Sequence, residues 1–272
     1  MKTHEAGLPD PSHPTCEMAG DIYLSEIFSG IQGEGHYAGY RQVFLRLTGC
    51  TLRCAYCDQP ESLELRPGDC RIECTPGIRD FAHMESPIPV PEADKWVDAL
   101  MASAPHHSVS VTGGEPLMQS GRLARLLPLL KEKGHRIHLE TSGVLPQGLA
   151  RVISWVDAIS MDLKLSSADR QEIDLSVHRS FLDVALGSPH QPHVYAKAVI
   201  AAETSATELC AAIRMVASAG PDMEVFLQPV TPHGPVTAIP SPAHMLALQE
   251  AALRVHPHVR VLPQTHKQIG QL

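Results

Sequence analysis

Three cysteines stand close together in the stretch GCTLRCAYCDQ, residues 49–59. Cys50, Cys54 and Cys57 form a C-x3-C-x2-C pattern, and no fourth cysteine follows at a similar spacing. A structural zinc site normally takes four Cys or His ligands, so three clustered thiols are one too few. Three thiolates can instead hold a [4Fe–4S] cluster whose fourth iron stays open to another ligand. The pattern therefore favours a [4Fe–4S] cluster in which one iron can bind a further ligand.

The other cysteines leave an alternative open. Cys70 and Cys74 are spaced C-x3-C and would complete a zinc site with the first three. Seven cysteines are an odd number, in a chain too long to depend on disulfides, and clustered thiols in a reducing compartment usually bind metal or do redox work. We expect Cys70 and Cys74 to be free thiols, with an auxiliary metal site there as the alternative.

The elements that position these cysteines can be predicted from apolar runs rich in Val and Ile. Such runs predict strands at 42–47, 107–111, 136–140, 158–163, 193–200, 223–228 and 259–262. Helical patterns lie between many of them, which indicates a parallel sheet, open or closed into a partial barrel. The polar motifs TGGEP, ETSG, DLK, QPV and QTHK follow five of these strands. Ligands bind beyond the carboxyl ends of such strands, so the motifs should converge there with the cysteine loop.

Composition limits the class of protein. The chain has 272 residues, 43% of them hydrophobic, and a formal charge of −8, which fits one large domain and disfavours nucleic acid or membrane as a partner. Residues 1–20 are polar and proline-rich, and we expect a flexible tail rather than a signal peptide. The core domain is expected over 21–272, with an insertion or lid at about 59–92. No run approaches the roughly 20 apolar residues of a membrane span, so a cytoplasmic location is expected.

Two further stretches complete a recognisable set. FSGIQGEGHYAGYRQVFLRLTGC covers residues 28–50, and QTHK covers 264–267. Together with CDQ, TGGEP, ETSG, DLK and LQPV, in this order, they resemble the 7-carboxy-7-deazaguanine synthase family of the radical S-adenosylmethionine (SAM) superfamily. The resemblance covers roughly residues 21–272. It implies an α/β fold with a modified, partial (β/α) barrel of the radical SAM type.

The resemblance also implies an activity. The family converts 6-carboxy-5,6,7,8-tetrahydropterin to 7-carboxy-7-deazaguanine with loss of ammonia, on the route to queuosine and related 7-deazapurines. A [4Fe–4S] cluster cleaves SAM into methionine and a 5′-deoxyadenosyl radical, which takes a hydrogen atom from the substrate. A homodimer and a flavodoxin- or ferredoxin-type electron donor are expected. Two alternatives are a radical SAM activase that places a glycyl radical on a partner protein, and a zinc or iron–sulfur binding module without catalysis.

The family's site residues carry over to matching positions of this chain. The cluster ligands would be Cys50, Cys54 and Cys57. The SAM residues would be Tyr56, Asp58, Gly113, Gly114, Glu115, Glu140, Ser142, Asp162, Leu163, Lys164, Gln228, Pro229, Val230 and Thr231. The substrate residues would be Ile31, Gln32, Gly33, Glu34, Arg46, Thr112, His266 and Leu272. Family members that end at the same offset after QTHK use the terminal carboxylate on the substrate's guanidine-like edge, so Leu272 is expected to act through its backbone.

Arg46 and Gln59, which stands at the family's Mg²⁺ position, carry a physical argument of their own. Arg46 lies on a predicted buried strand, and a buried guanidinium needs an anionic partner, either the substrate carboxylate or Glu34. Related enzymes carry Thr or Ser where this chain has Gln59, and that hydroxyl helps to hold Mg²⁺. Gln59 would ligate Mg²⁺, or hydrogen-bond the substrate carboxylate in its place, or accompany a different chemistry. We favour the second, because an amide N–H partly replaces the lost positive charge.

Overall fold

The computed structural model describes residues 20–271. Its strands are β1 Asp21–Ile22, β2 Leu24–Ile31, β3 Arg41–Leu47, β4 Gly68–Glu73, β5 Phe81–Ser86, β6 Ile88–Pro89, β7 Ser108–Gly113, β8 Ile137–Thr141, β9 Ala158–Asp162, β10 His193–Ile200, β11 Val225–Pro229 and β12 Val259–Val261. Its α-helices are α1 Val90–Ser103, α2 Ser120–Glu132, α3 Pro146–Val152, α4 Ser166–Asp169, α5 Leu175–Leu186, α6 Ala206–Ala219, α7 Pro242–Leu253 and α8 Thr265–Gln268. Short 3₁₀ turns cover Gly35–Tyr37, Pro60–Ser62, Pro116–Gln119 and Ile153–Trp155.

Ten of these strands form one sheet in the order β12-β11-β10-β9-β8-β7-β3-β2-β4-β5. All neighbours from β3 to β12 run parallel, β2 is antiparallel to β3, and β4 and β5 form an antiparallel pair. Within residues 20–271, β12 and β5 end the sheet without pairing to each other. The predicted α/β fold with an incomplete barrel is therefore confirmed.

Burial follows the predicted pattern in the central elements. The strand β10 has the bounds predicted from its sequence, HVYAKAVI, and all its residues except the first are buried, as befits a parallel strand covered on both faces. In α2 the four leucines at helical spacing are buried although Pro128 lies inside the helix. Ser241 caps α7 by accepting a hydrogen bond from the backbone N–H of His244.

The segment 59–92 forms regular structure at the edge of the sheet. Its strands β4 and β5 make a hairpin that pairs with β2 through β4, and β6 pairs with β1. Arg79, between β4 and β5, donates a hydrogen bond from Nη2 to the carbonyl of Gly270 at 2.8 Å. The segment thus contacts the residues that follow α8, and its movement as a lid stays a prediction.

Two predictions lie outside the described residues. The predicted tail falls on residues 1–19 apart from Gly20, and the predicted substrate residue Leu272 follows the last described residue. None of the helices within 20–271 is long and apolar enough to cross a membrane.

Candidate active site

One cavity lies where the parallel strands end, and the cysteine loop after β3 forms part of its wall. It gathers these predicted residues: Ile31, Gln32, Gly33, Glu34, Arg46, Cys50, Cys54, Tyr56, Cys57, Asp58, Gln59, Thr112, Gly113, Gly114, Glu140, Ser142, Asp162, Lys164, Gln228, Val230, Thr231 and His266. Three predicted SAM residues, Glu115, Leu163 and Pro229, do not line it. The motifs that follow separate strands therefore converge, as the parallel sheet predicts.

The cysteine loop is held by backbone hydrogen bonds. The N–H of Cys50 donates to the carbonyl of Leu63 at 2.9 Å, and the N–H of Cys57 donates to the carbonyl of Cys54 at 3.0 Å. All three thiols are free and partly buried, and burial raises the pKa of each, to about 12 for Cys54. Their ionisation therefore requires a nearby positive charge, which a bound metal supplies.

The number and placement of the three thiols bear on which metal group they suit. They do not all lie within 4.8 Å of one another. A tetrahedral zinc ion with Zn–S bonds of about 2.3 Å would hold its sulfur ligands about 4 Å apart. Three thiols that line one cavity suit a [4Fe–4S] cluster, in which each thiolate bonds a different iron and the fourth iron stays open. Cys70 is buried and Cys74 is exposed, and neither is in a disulfide, so free thiols there stay a prediction.

The glycines of TGGEP allow two backbones to meet under the cavity. Gly113 has a φ of +133°, and a Cβ there would lie 2.0 Å from the carbonyl oxygen of Leu47. A Cβ on Gly114 would lie 2.4 Å from the carbonyl oxygen of Gly49. Only glycine permits this approach, which seats the motif directly against the cysteine loop. The turn is therefore shaped for a ligand held against backbone rather than side chains.

Glu115 organises the neighbouring strand end from beneath the cavity wall. Its fully buried carboxylate accepts hydrogen bonds from Leu117 N at 3.0 Å, Thr141 Oγ1 at 2.8 Å and both Ser142 N and Oγ, at 2.7 and 2.5 Å. Burial raises the pKa of Glu115 in spite of these bonds. The motif residue thus positions the ETSG turn, and a direct contact of Glu115 with SAM stays a prediction.

Two buried lysines and two carboxylates form a charged network across the cavity. Asp162 accepts from Lys164 at 2.9 Å and pairs with Lys197 at 3.0 Å, and Lys197 also bonds Glu34. Burial alone would raise the pKa of Asp162, but the two ammonium groups hold it at about 2. The ammonium of Lys197 likewise holds the pKa of Glu34 below its usual range against the effect of burial. The network links a predicted SAM residue to a predicted substrate residue.

The loop after β2 is anchored by the chain's last helix. The carbonyl of Gly33 accepts a hydrogen bond from Thr265 N at 2.9 Å, and a Cβ on Gly33 would lie 1.8 Å from His266 Nδ1. Gln32 Nε2 donates to Glu140 Oε1 at 2.8 Å, and burial together with the charge of Glu34 raises the pKa of Glu140. The loop therefore offers amide and carboxylate groups on one wall, and α8 adds the imidazole of His266.

Comparisons with known proteins agree with this arrangement. Residues 45–181 match the model of the radical SAM superfamily. The 7-carboxy-7-deazaguanine synthase of Geobacter sulfurreducens is 40% identical, over 92% of this chain and 97% of its own length. The enzyme of the same name from Methanopyrus kandleri is 34% identical, over 98% of this chain and 97% of its own. The chain belongs to the 7-carboxy-7-deazaguanine synthase family.

A solved structure supports the fold of the family. The crystal structure of QueE from Escherichia coli aligns with a TM-score of 0.57 and 17% identity, over 93% of this chain and 99% of that chain. At this identity the likeness bears on the fold alone, and it agrees with the open, mostly parallel sheet.

Arg46 has a different protein partner from the one that the sequence suggested. Its Nε donates to Glu26 Oε2 at 2.8 Å, and the other oxygen of Glu26 bonds Arg71. The alternative of an ion pair with Glu34 is therefore wrong, because Glu34 is held by Lys197. The guanidinium groups of Arg46 and Arg71 share the one carboxylate of Glu26, which leaves a net positive charge at the wall of the cavity. A bound anion would satisfy it.

Three polar residues of the wall were missed from the sequence, Thr141, Lys197 and Gln264, along with the apolar Phe44, Leu52, Leu63 and Val199. Lys197 did carry a signal, since it is a lone charge inside the apolar run HVYAKAVI. A buried ammonium needs anionic partners, and here Glu34 and Asp162 supply them. Gln264 donates to Glu34 Oε1 at 2.6 Å, so the QTHK motif reaches the loop after β2 through its first residue as well as through His266.

Proposed function

We propose that this chain converts 6-carboxy-5,6,7,8-tetrahydropterin to 7-carboxy-7-deazaguanine with loss of ammonia. When bound, the cluster and SAM supply a 5′-deoxyadenosyl radical, which takes a hydrogen atom from the substrate. The observation that carries the proposal is one cavity that the cysteine loop, the TGG turn and the loop after β2 line together. Membership of the family supplies the identity of the reaction.

The chain's own residues would divide the cavity between two ligands. Cys50, Cys54 and Cys57 would hold the cluster, and the TGG turn would receive the amino group of SAM through its backbone. The opposite wall offers Glu34 and Gln32 to the N–H and carbonyl edge of a pterin. Glu34 is ionised because Lys197 stabilises its charge, so it is suited to accept hydrogen bonds from a guanidine-like edge.

The substrate carboxylate would meet Arg46, supported by Gln59. Both side chains line the cavity. We propose that Gln59 donates its amide N–H to the carboxylate in place of Mg²⁺. The neighbouring Asp58 supports this assignment, because Lys267 Nζ lies 2.6 Å from its Oδ2 and the ammonium lowers the pKa of Asp58 against the effect of burial. A carboxylate that would help to attract Mg²⁺ is thus already paired.

Further features of the proposal concern the whole protein. We propose a homodimer in the cytoplasm, reduced by a flavodoxin- or ferredoxin-type donor, and acting in queuosine and tRNA modification. These features follow the family and concern surfaces other than the cavity. The molecular mass in solution and reduction by a purified flavodoxin or ferredoxin test them directly.

The decisive experiment is anaerobic turnover with product analysis. Reconstituted protein is incubated with SAM, a reductant and the carboxy-tetrahydropterin, and the products are identified by mass spectrometry. We expect 7-carboxy-7-deazaguanine and ammonia in equal amounts. Cys54→Ala should abolish turnover and iron loading, whereas the matched variant Cys70→Ala should retain both. Turnover by Cys54→Ala, or the absence of product with a fully loaded cluster, would contradict the proposal.

A further inference from the structure

A second group of ligating side chains lies away from the cavity. His36, His193 and Glu224 each place one ligand atom within 4.8 Å of the others, and no other such set of three is found among residues 20–271. His193 is the first residue of β10, and Glu224 immediately precedes β11. This group therefore lies at the amino ends of these strands, whereas the active-site cavity lies at their carboxyl ends.

From this geometry we propose that His36, His193 and Glu224 form a binding site for a divalent transition-metal ion of the zinc class. Two imidazole nitrogens and one carboxylate oxygen are a ligand set that suits such an ion, with water completing the coordination. The set contains no thiolate, so it is chemically separate from the cysteine loop.

The three side chains are oriented by neighbours in the way that metal ligands usually are. The hydroxyl of Tyr37 lies 3.1 Å from Nδ1 of His193, which leaves Nε2 of that ring as the ligand atom. Arg260 bonds one oxygen of Glu224, and the other oxygen lies 2.5 Å from Nδ1 of His36. The ligand groups are thus held in place before a metal arrives.

The turn that carries His36 is also fixed. Gly35 has a φ of +61°, and a Cβ there would lie 2.3 Å from the ring of Tyr195. The turn therefore packs closely on β10, and the rings of His36 and His193 lie 4.5 Å apart. A metal ion would join the turn to the starts of two strands without a large rearrangement.

Access and charge permit an ion to bind. The side chains of His36 and Glu224 are 39% and 27% exposed. The guanidinium of Arg260 is half-exposed, so water screens its repulsion of a cation. Because His36 lies two residues after Glu34, an ion here would also stiffen the loop that carries the proposed substrate contacts.

The test is zinc binding by the cluster-loaded protein under anaerobic conditions. Zn²⁺ is titrated by calorimetry, and retained zinc and iron are measured by elemental analysis after desalting. We expect one zinc per chain in addition to the cluster iron, an increase in melting temperature, and slower amide hydrogen exchange in residues 31–37. His193→Ala and Glu224→Gln should each weaken zinc binding by at least tenfold with the iron content unchanged.

A matched control uses another histidine–carboxylate pair. His83 Nδ1 lies 2.7 Å from Asp69 Oδ2, but this pair belongs to no group of three ligating side chains among residues 20–271. His83→Ala should therefore bind zinc like the unaltered protein. Equal zinc binding by the Glu224→Gln and unaltered proteins would overturn the proposal. So would the absence of binding by the unaltered protein at a hundred micromolar zinc.

Discussion

At the scale of single residues, Arg46 has an observed partner, Glu26, and a proposed partner, the substrate carboxylate. It shares Glu26 with Arg71 through Nε, so its terminal nitrogens remain as donors at the cavity wall. Lysine in this position would keep the charge and lose the planar fork that binds a carboxylate through two parallel hydrogen bonds. The sequence alone could not identify Glu26 as the partner of Arg46, because the two residues meet only through the pairing of β2 with β3.

Arg46→Lys should therefore weaken substrate binding by roughly tenfold or more, since a charge-assisted hydrogen bond contributes about 1.5–3 kcal/mol. The dissociation constant of the substrate, measured anaerobically in the presence of SAM, checks this. Arg71→Lys is the matched control, because Arg71 bonds the same carboxylate but does not line the cavity. Substrate affinity that stays normal in Arg46→Lys would show that the residue is structural.

Gln59 raises the question of whether this chain uses Mg²⁺. Its amide is a longer and weaker substitute for a hydroxyl ligand, and the adjacent Asp58 is already paired with Lys267. We expect turnover to change less than about twofold when EDTA replaces Mg²⁺, because the positive charge near the substrate comes from side chains. Gln59→Thr should increase the dependence on Mg²⁺.

The measurement for Gln59 is the turnover rate against free Mg²⁺, with the iron content determined after each EDTA treatment. The iron assay separates loss of Mg²⁺ from damage to the cluster. If EDTA abolishes the turnover of the unaltered protein and Mg²⁺ alone restores it, the metal is in use and the assignment of Gln59 is wrong.

At the scale of elements, the contact between the loop after β2 and α8 completes one wall of the site. The N–H and hydroxyl of Thr265 both reach the carbonyl of Gly33, and His266 fills the space where a side chain at position 33 would stand. The wall needs both segments, because the loop supplies the carboxylate of Glu34 and α8 supplies the imidazole of His266. The distance between them along the chain makes this contact invisible to local sequence patterns.

Gly33→Ala should displace α8, because the new methyl group would lie 1.8 Å from His266 Nδ1. We expect the KM for the pterin to rise at least tenfold while the cluster content stays unchanged. Gly68→Ala is the control, since a Cβ at Gly68 meets nothing within 4 Å. Steady-state kinetics and the iron content of both variants check the prediction. A KM in Gly33→Ala equal to that of Gly68→Ala would contradict the proposed role of this contact.

At the scale of the whole molecule, the sequence predicted the centre of the sheet and missed one edge. The strands β7 to β11 are apolar and mostly buried, as parallel strands covered on both faces are, so their apolar runs stand out. The edge strand β5 reads FAHMES and is only partly buried, so its pattern is too weak to distinguish from a loop. The site residues in strand-end motifs were predictable because the sheet was. The places of Lys197 and Gln264 in the site were not, because both depend on contacts with Glu34, which is distant along the chain.

Two buried histidines make the stability of the fold sensitive to acid. His138 is enclosed by Tyr195 and Gln42, with Nε2 3.0 Å from the hydroxyl of Tyr195, and burial lowers its pKa to about 3. Burial likewise lowers the pKa of His178 to about 4. Both rings are therefore neutral in the folded protein at pH values where the unfolded chain, with a histidine pKa of about 6.5, already binds protons.

The sign of the effect follows from where the protons bind. Above pH 6.5 both histidines are neutral in both states and stability is full, whereas between about pH 6.5 and 4 the unfolded chain binds the protons. Each histidine then lowers the free energy of unfolding by about 1.4 kcal/mol per pH unit. His138→Gln, compared with the unaltered protein at equal cluster content, should therefore lose less of its melting temperature between pH 7 and pH 5. Equal decreases in melting temperature for the two proteins would mean that His138 is protonated in the folded state and that its burial does not control stability in acid.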